Sequence, residues 1–209
     1  MTETTVIRGT DENWLSSVAA VIQAGGLVAF PTDTVYGLGC DAFNARAIRM
    51  LYEAKRRTRG KAIPVLIATL ADLDQVALNV TQETLNIGKA FWPGPLTIVM
   101  EKHLDLPDEI SADPTIGIRI PAHPVALDIL KACGPLAVSS ANVSGGLNAK
   151  TAPEVLVQLS GRIHLVVDGG PSLGSGPSTV IDVTKKLVRI LRDGPISMED
   201  ILASQKSIE

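Results

Sequence analysis

Residues 27–38 read Leu27-Val28-Ala29-Phe30-Pro31-Thr32-Asp33-Thr34-Val35-Tyr36-Gly37-Leu38, a short apolar run followed by a turn rich in hydroxyl groups. The apolar run over 27–30 predicts a buried strand. Before it, apolar residues recur at helical spacing over 14–22, and Gly25 can form a left-handed helix end. This region therefore predicts helix, turn and strand in succession, with polar groups placed where the strand ends.

The same alternation of helical patterns and short apolar runs continues along the chain. A second helix is predicted over Ala45–Lys55 with Asn44 as its N-cap, and helix starts are predicted at Thr151, with a capping box, and at Ser197. Further strands are predicted over 63–68, 96–100, 116–120, 136–139, 164–167, 179–183 and 187–191. The pattern predicts a mixed α/β (α+β) fold, in which helices pack on a mixed sheet.

Composition limits the class of protein. The chain has 209 residues, 45% apolar and 20% charged, which predicts one globular domain over 1–209 with a core from about 8 to 203. A net charge of −3 excludes nucleic-acid binding by bulk positive charge. Two cysteines predict a reducing compartment, and no secretory signal or membrane-spanning run is apparent. We therefore expect a cytoplasmic protein without a membrane partner.

Positive charge is concentrated in one short region. Residues 46–61 hold seven cations and one anion, Glu53, a net charge of +6, so the rest of the chain carries −9. The cations are Arg46, Arg49, Lys55, Arg56, Arg57, Arg59 and Lys61. The run predicts either a polyanion site or a solvated basic loop, and charge alone does not choose between them.

Three segments rich in hydroxyl, amide and glycine groups each follow an apolar run: 31–37, 139–145 and 176–179. Such segments can bind phosphate or carboxylate oxygens, although the same residues also form ordinary turns. The sequence has no Walker A loop and no dinucleotide fingerprint. Gly170-Pro171-Ser172-Leu173-Gly174 matches a nucleophile elbow but precedes no helix, which argues against a serine hydrolase. The three histidines lie too far apart for helical metal-ligand spacing.

Six motifs in order carry a family resemblance over nearly the whole chain. They are Pro31 to Leu38, Lys55-Arg56-Arg57, Gly117-Ile118-Arg119-Ile120-Pro121 with His123-Pro124, Ser140-Ala141-Asn142, Pro177 to Asp182, and Leu191 to Ile196. With them the chain resembles the YrdC-like family, the L-threonylcarbamoyladenylate synthases. The resemblance implies a twisted, largely open mixed sheet around a deep basic cavity. It also implies a nucleotidyltransferase that makes threonylcarbamoyl-AMP and pyrophosphate from L-threonine, bicarbonate and ATP, for modification of tRNA beside the anticodon.

The chain departs from the family pattern at three positions. Arg56 stands where the signature has glycine, Ala62 replaces the proline of a lysine-proline-leucine run, and Leu66 replaces a histidine that some relatives place near threonine. Extra charge and lost proline stiffness in this loop can alter its closure. The chain ends soon after Arg192 and so resembles the short members, which leaves the role of the longer members' extra domain to partner proteins.

The reaction brings a carbamate anion to the α-phosphate of ATP, so cations must offset the repulsion between reactants. We assign Arg57 and Lys61 to the triphosphate and Lys55 to the developing anion. Since Ser140 and Asn142 lie two apart at a strand end, we expect both side chains on one face.

The resemblance implies the remaining site residues. Catalytic positions would be Lys55, Arg57, Ser140 and Asn142; threonine would be bound by Thr34, Arg119, Ser140 and Ser178, with Arg119 pairing its carboxylate; ATP would be bound by Arg57, Lys61, Thr115, Asn142, Lys150 and Arg192. Mg²⁺ is expected to arrive with the triphosphate, and the sequence names no protein ligand for it. Downstream threonylcarbamoyl-transfer proteins are the implied protein partners.

Three alternatives stay open. The protein could be a module that binds double-stranded RNA or tRNA by shape and phosphate contacts without turnover, since aromatic residues are only 3% of the chain and offer no stacking platform. It could be a weaker paralogue of the synthase. It could also be a carbamoyl-transfer relative, because a similar domain occurs in hydrogenase-maturation proteins.

Overall fold

A mixed β-sheet organises the molecule. The computed structural model describes residues 3–58, 60–174, 176–185 and 187–206. Within these ranges the strands are β1 (Thr5–Arg8), β2 (Val28–Phe30), β3 (Gly37–Asp41), β4 (Val65–Leu66), β5 (Ala77–Leu78), β6 (Leu96–Lys102), β7 (Thr115–Arg119), β8 (Leu136–Ser140), β9 (Leu165–Asp168), β10 (Thr179–Asp182) and β11 (Arg189–Arg192). Their order is β1-β9-β2-β3-β8-β4-β7-β6-β10-β11, and β5 pairs with β6.

Strand directions make the sheet mixed. The pairs β1/β9, β2/β9, β4/β7 and β6/β10 are parallel, whereas β2/β3, β3/β8, β4/β8, β6/β7, β5/β6 and β10/β11 are antiparallel. The path runs from β1 at one edge to β11 at the other, so the sheet is open. The predicted mixed and open sheet is confirmed.

Helices connect the strands. They are α1 (Trp14–Gln23), α2 (Ala45–Ala54), α3 (Leu73–Val76), α4 (Gln82–Phe91), α5 (Pro124–Cys133), α6 (Ala152–Leu159) and α7 (Met198–Lys206), with a 3₁₀ turn at Leu70–Asp72. The Asn44 side chain accepts a hydrogen bond from the Ala47 N–H, as expected of an N-cap. Gly25 ends α1 with a φ of 76°, the left-handed conformation predicted for it. No helix of the described residues is long and apolar enough to cross a membrane.

The two faces of the sheet are covered unequally. On one face, α2, α4, α6 and α7 pack over alternate strand residues such as Leu38, Ile98 and Ile118. On the other, α1 and α5 pack together and cover Val28, Phe30 and their neighbours at the β1-β9-β2 end. Because side chains alternate along a strand, the residues between those of the first core point to this second face. Beyond α1 and α5, that face is left for the site.

Several elements differ in extent from prediction. The strand predicted over 63–68 is reduced to β4, because the Ile63 N–H donates to the Ile110 carbonyl in a loop and Pro64 has no N–H to donate. At Thr151 only half of the predicted capping box forms: its side chain accepts from the Glu154 N–H, but the Glu154 carboxylate accepts from the Lys150 N–H instead. Ser197 and Asp200 form the full reciprocal pair.

Candidate functional site

A cavity of about 490 Å³ lies on the sheet face that α1 and α5 leave uncovered. Its floor spans six neighbouring strands and is formed by Gly37, Val138, Leu66, Gly117, Thr97, Val99 and Val180. Polar groups rise from its sides: Thr32, Thr34, Arg57, Arg119, Ser139, Ser140, Asn148, Ser178 and Arg192. Three arginines and no carboxylate stand among the described lining residues, so the cavity is basic. Its volume suits a nucleotide-sized ligand.

Arg119 holds one side of the cavity together. Its Nε–H donates to the Gly94 carbonyl at 2.9 Å, Nη1 donates to the Thr34 hydroxyl at 3.0 Å, and Nη2 donates to the Asp33 carboxylate at 2.6 Å. Burial lowers the pKa of Arg119, and Asp33 opposes that shift. A guanidinium has five N–H groups, so one on each terminal nitrogen is left after these three bonds. Arg119 is thus oriented and largely neutralised, yet can still donate to a ligand.

The hydroxyl of Thr34 is oriented by the same network. It lies 3.0 Å from the hydroxyl of Thr32, which donates to the Val35 carbonyl at 2.7 Å. Since the Thr32 proton is used there, Thr34 donates to Thr32 and accepts from Arg119. One lone pair of the Thr34 oxygen is then left for a ligand donor.

Ser178 and Arg192 form the second polar side. The Ser178 hydroxyl lies 2.7 Å from that of Thr97, and the Arg192 guanidinium donates to the Ser178 carbonyl at 2.7 Å and to its hydroxyl at 3.0 Å. The positive charge of Arg192 contributes to the lowered pKa of Arg119, so the two arginines are close enough to interact. Two cations on neighbouring walls suit an anionic group between them.

Arg57 follows α2 and lines the cavity near the start of β4. Its guanidinium donates to the carbonyls of Lys61 at 3.2 Å and Ala62 at 3.1 Å, and Tyr52 also donates to the Lys61 carbonyl at 2.9 Å. Burial is the main cause that lowers the pKa of Arg57. These bonds hold the carbonyls of Lys61 and Ala62 beside the end of α2, and Arg57 lines the cavity.

Lys55 is buried behind the wall, with only 1% of its surface exposed. Its ammonium donates to the carbonyl of Ser140 and, at 2.6 Å, to that of Asn142. Desolvation, aided by the charge of Arg57, lowers the pKa of Lys55 to about 8. Lys55 is therefore hydrogen-bonded to the backbone of the turn after β8 and does not itself line the cavity.

The turn after β8 gives Ser140 and Asn142 a geometry different from the extended one expected from the sequence. The Asn142 N–H donates to the Ser140 carbonyl at 2.9 Å, so the chain reverses sharply and does not continue as a strand. Ser140 lines the cavity, whereas the Asn142 amide donates into its own loop, to the carbonyls of Val143 and Gly146. The expectation that both side chains share one face is wrong, because strand geometry ends at Ser140.

The sequence that builds this cavity matches a known protein family. The Sua5/YciO/YrdC family model, whose description reads "Telomere recombination", matches residues 20–194. The chain belongs to the Sua5/YciO/YrdC family. The resemblance drawn from six sequence motifs is thereby confirmed.

Relatives of known name lie close to this Sua5/YciO/YrdC member. It is 38% identical to a Mycobacterium tuberculosis protein over 204 residues, covering 96% of this chain and 94% of that one. It is 37% identical over 189 residues to the threonylcarbamoyl-AMP synthase of Vibrio cholerae, covering 88% of this chain and 98% of that one. The crystal structure of Pyrococcus abyssi Sua5 complexed with L-threonine superposes with a TM-score of 0.89 at 36% identity, covering 98% of this chain and 60% of the longer Pyrococcus chain.

The described structure brings six of the eleven predicted site residues of this Sua5/YciO/YrdC domain into the cavity lining: Thr34, Arg57, Arg119, Ser140, Ser178 and Arg192. Lys55 and Asn142 lie behind the lining, and Thr115 begins β7 on the same sheet face as Gly117 and Arg119. Lys61 and Lys150 are exposed outside it.

The basic run over 46–61 does not form one surface. Lys55 is buried, Arg57 faces the cavity, and Arg49 pairs with Glu109. Arg46 and Arg56 are exposed, and Arg59 lies outside the described residues. The concentration of charge seen in the sequence is therefore divided among four environments: the interior, the cavity lining, an ion pair and the exposed surface.

Five polar residues of the site were not among the predicted site residues: Thr32, Asp33, Thr97, Ser139 and Asn148. Asp33 adjoins Thr34 in the quoted stretch, and its carboxylate pairs with Arg119 and accepts from the Ala122 N–H at 3.0 Å. Thr97 is buried near the start of the strand β6, where a lone hydroxyl between Leu96 and Ile98 is the available sequence signal. Asn148, in the loop before α6, carries no such signal.

Proposed function

We propose that this protein is an L-threonylcarbamoyladenylate synthase, which converts L-threonine, bicarbonate and ATP to threonylcarbamoyl-AMP and pyrophosphate. One observation carries the proposal: a single cavity combines three arginines with the hydroxyls of Thr34, Ser140 and Ser178, and no carboxylate lines it among the described residues. Two anionic substrates can share such a site. The synthase name of the Vibrio cholerae relative, which matches this chain over nearly its whole length, supports the assignment.

The chemistry is a displacement at phosphorus. The threonine amine adds to the carbon of bicarbonate with loss of water, which gives a carbamate anion. A carbamate oxygen then attacks the α-phosphorus of ATP, the bond from that phosphorus to the bridging oxygen breaks, and pyrophosphate leaves with the electron pair. Both reactants are anions, so the site must hold them together against repulsion. Arg57 and Arg192 supply fixed positive charge for this task, and Arg119, paired with Asp33, supplies oriented N–H donors.

Threonine would occupy the side formed by Arg119, Thr34, Ser140 and Ser178. The two remaining N–H groups of Arg119 match the two oxygens of a carboxylate. Thr34 and Ser178 offer hydroxyl oxygens whose positions are already fixed by Arg119 and Arg192. An oriented site needs little rearrangement when the substrate binds.

ATP would occupy the side formed by Arg57 and extend towards Arg192. Both hydrogens of the Arg57 Nη1 are free of partners in the described part of the chain and can bind phosphate oxygens. Lys61 and Lys150 have exposed side chains long enough to reach a bound nucleotide, and we assign them, with Thr115, to nucleotide contacts. Asn142 lies behind the lining, but its Oδ1 is buried without a hydrogen-bond partner among the described residues, so we assign that oxygen to the nucleotide as an acceptor. Lys55 would act through the carbonyls of Ser140 and Asn142, by fixing the turn that carries Ser140.

Mg²⁺ would enter with the triphosphate. The described residues contain no group of three or more His, Cys, Asp or Glu side chains suited to a metal, and the described lining has no carboxylate. This donor set fits an ion held by phosphate oxygens and water, which is how Mg²⁺ commonly binds beside nucleotides. Bound there, the ion would neutralise phosphate charge.

The product implies the partners and the compartment. Threonylcarbamoyl-AMP is a reactive mixed anhydride, so proteins that transfer the threonylcarbamoyl group to tRNA must consume it, and we propose these as downstream partners. The free thiols of Cys40 and Cys133 suit the reducing cytoplasm, where we place the reaction.

The deciding experiment measures pyrophosphate release from ATP by the purified chain, with threonine and bicarbonate each present or omitted, and detects threonylcarbamoyl-AMP by mass spectrometry. We expect release that depends on both. Arg57→Ala should lower kcat/KM by roughly 100-fold, whereas Arg46→Ala, on the exposed side of α2, should leave it unchanged. No release under any condition, from folded protein that binds double-stranded RNA in a salt-sensitive manner, would replace the synthase with an RNA-binding module.

A further inference from the structure

The segment 192–196 contacts Ser178 and Thr179, through their backbone and hydroxyl groups, at three successive points. First, Arg192 donates from Nε at 3.0 Å and from Nη2 at 2.7 Å to the Ser178 carbonyl, and also reaches the Ser178 hydroxyl. Last, the Thr179 hydroxyl donates to the Ile196 carbonyl and accepts from the Ile196 N–H, both at 2.9 Å. The segment and β10 are thus locked together at both ends.

Gly194 forms the middle point. A Cβ placed on Gly194 would lie 2.7 Å from the Ser178 carbonyl carbon and 2.7 Å from the Thr179 hydroxyl oxygen, and closer still to the Thr179 nitrogen. Two of these are backbone atoms, and the third is the Thr179 hydroxyl, which makes two hydrogen bonds to Ile196. None of the three can move without shifting Ser178. Only a residue without a side chain permits this approach.

Arg192 has little else to hold it in place. It is the last residue of β11, an edge strand whose residues are mostly exposed. Among the described strands, β11 pairs only with β10. The register of that pair shifts between Val180 and Ile181, beside the site. An arginine side chain on such an edge has many rotamers, and a cavity residue must lose them before it binds a ligand well.

We infer that Gly194 and Thr179 are positioning residues, which seat the segment 192–196 so that the Arg192 guanidinium and the Ser178 hydroxyl enter the cavity as one unit. The inference rests on the proposed function, in which Ser178 faces threonine and Arg192 faces the nucleotide. Its consequence is a coupling: a change at Gly194 or Thr179, which do not line the cavity, weakens the binding of both substrates together.

The test compares Gly194→Ala with Leu202→Ala. Leu202 lies on α7, the helix that follows the segment 192–196; it is 46% exposed and is not among the residues that line the cavity, so this second variant changes a neighbouring element without a clash against Ser178 or Thr179. Calorimetric titration with L-threonine and with a non-hydrolysable ATP analogue gives two dissociation constants for each variant. We expect Gly194→Ala to raise both constants about 10-fold or more, and Leu202→Ala to match the wild type. If Gly194→Ala raises neither constant, or only one, the coupling is wrong.

A second pair of variants decides the matter if Gly194→Ala does not fold. Thr179→Ser keeps the hydroxyl that binds Ile196, and Thr179→Val removes it at similar volume. Thr179→Val should raise both dissociation constants, and Thr179→Ser should restore them, which a general loss of stability would not produce. Equal binding by both Thr179 variants would overturn the inference. If the wild type itself neither binds threonine nor releases pyrophosphate, the proposed function fails, which is a separate result.

Discussion

At the scale of single residues, the least expected placement is that of Lys55. A buried ammonium must find acceptors or lose its proton, since desolvation disfavours its charge. Lys55 finds the carbonyls of Ser140 and Asn142, and still its pKa falls to about 8. The residue type suggested a cation in contact with substrate, whereas burial makes it a support for the turn that carries Ser140.

Lys55→Met tests this placement through pH. The pKa of Lys55 is about 8 when folded and 10.5 when unfolded, so between these values the unfolded chain holds a proton that the folded chain lacks. The free energy of unfolding contributed by Lys55 therefore rises with pH in this window, by on the order of 1 kcal/mol per pH unit, and is constant below it.

Urea unfolding of the wild type and of Lys55→Met from pH 7 to pH 10.5 measures the difference directly. Subtraction removes the opposing contribution of Tyr36, whose pKa burial raises to about 12, because both proteins share it. The free energy of unfolding of the wild type minus that of Lys55→Met should increase with pH above about pH 8. A difference that does not change with pH would mean that Lys55 is solvated.

The Asp33–Arg119 pair gives a second prediction at this scale. Asp33→Asn leaves the buried Arg119 charge without its counter-ion, which typically destabilises a protein by about 3 kcal/mol. The matched control is Asp128→Asn, since Asp128 pairs with Lys131 at 3.7 Å on the exposed side of α5, where an ion pair contributes about 0.5 kcal/mol or less. Urea unfolding compares the two. Equal losses would show that Arg119 is not held by its carboxylate partner.

At the scale of elements, sequence patterns correctly predicted the helices and strands that depend mainly on interactions between nearby residues. The periodicity and caps of α1 and α2 and the apolar runs of β6 to β8 appear where expected, because each depends on residues within one or two turns. The edge strand β1 was not predicted, since its residues are mostly exposed and lack a buried run; it forms by pairing with β9, some 160 residues away.

Tertiary contacts explain the misplaced side chain of Asn142. The sequence Ser140-Ala141-Asn142 contains no residue that predicts the end of the strand at Ser140. The reversal is stabilised by Lys55, 85 residues earlier in the chain, and by the Ser144 N–H, which donates to the Lys55 carbonyl. A motif fixes which residues meet at a site more readily than it fixes which way each one points.

At the scale of the whole molecule, the cavity exists because α1 and α5 cover only part of their face; the core beneath them reaches from β9 and β2 to Leu136 and Val138 of β8 and Leu66 of β4. Side chains alternate along a strand, so some residues face away from the main core, but no local feature of the sequence predicts that the helices leave that face partly open. The uncovered part collects residues from six strands, and the sequence separates the two nearest arginines, Arg119 and Arg192, by 73 positions. The basic cavity itself was expected only through the family resemblance.

An open cavity of this kind makes stability depend on ligands, which allows its two sides to be tested separately by thermal unfolding. A ligand that binds only the folded state at 100 times its dissociation constant adds about 2.7 kcal/mol, or about 5–10 °C in Tm for a chain of this size. We expect ATP with Mg²⁺ and L-threonine each to raise the Tm of the wild type. Arg57→Ala should lose the shift caused by ATP and keep that caused by threonine, because Arg57 binds the Ala62 carbonyl before β4 begins, whereas Arg119 is paired with Leu66, where β4 ends. Arg46→Ala should show both shifts, which controls for the loss of one positive charge. If Arg57→Ala loses both shifts or neither, the division of the cavity into a triphosphate side and a threonine side is wrong.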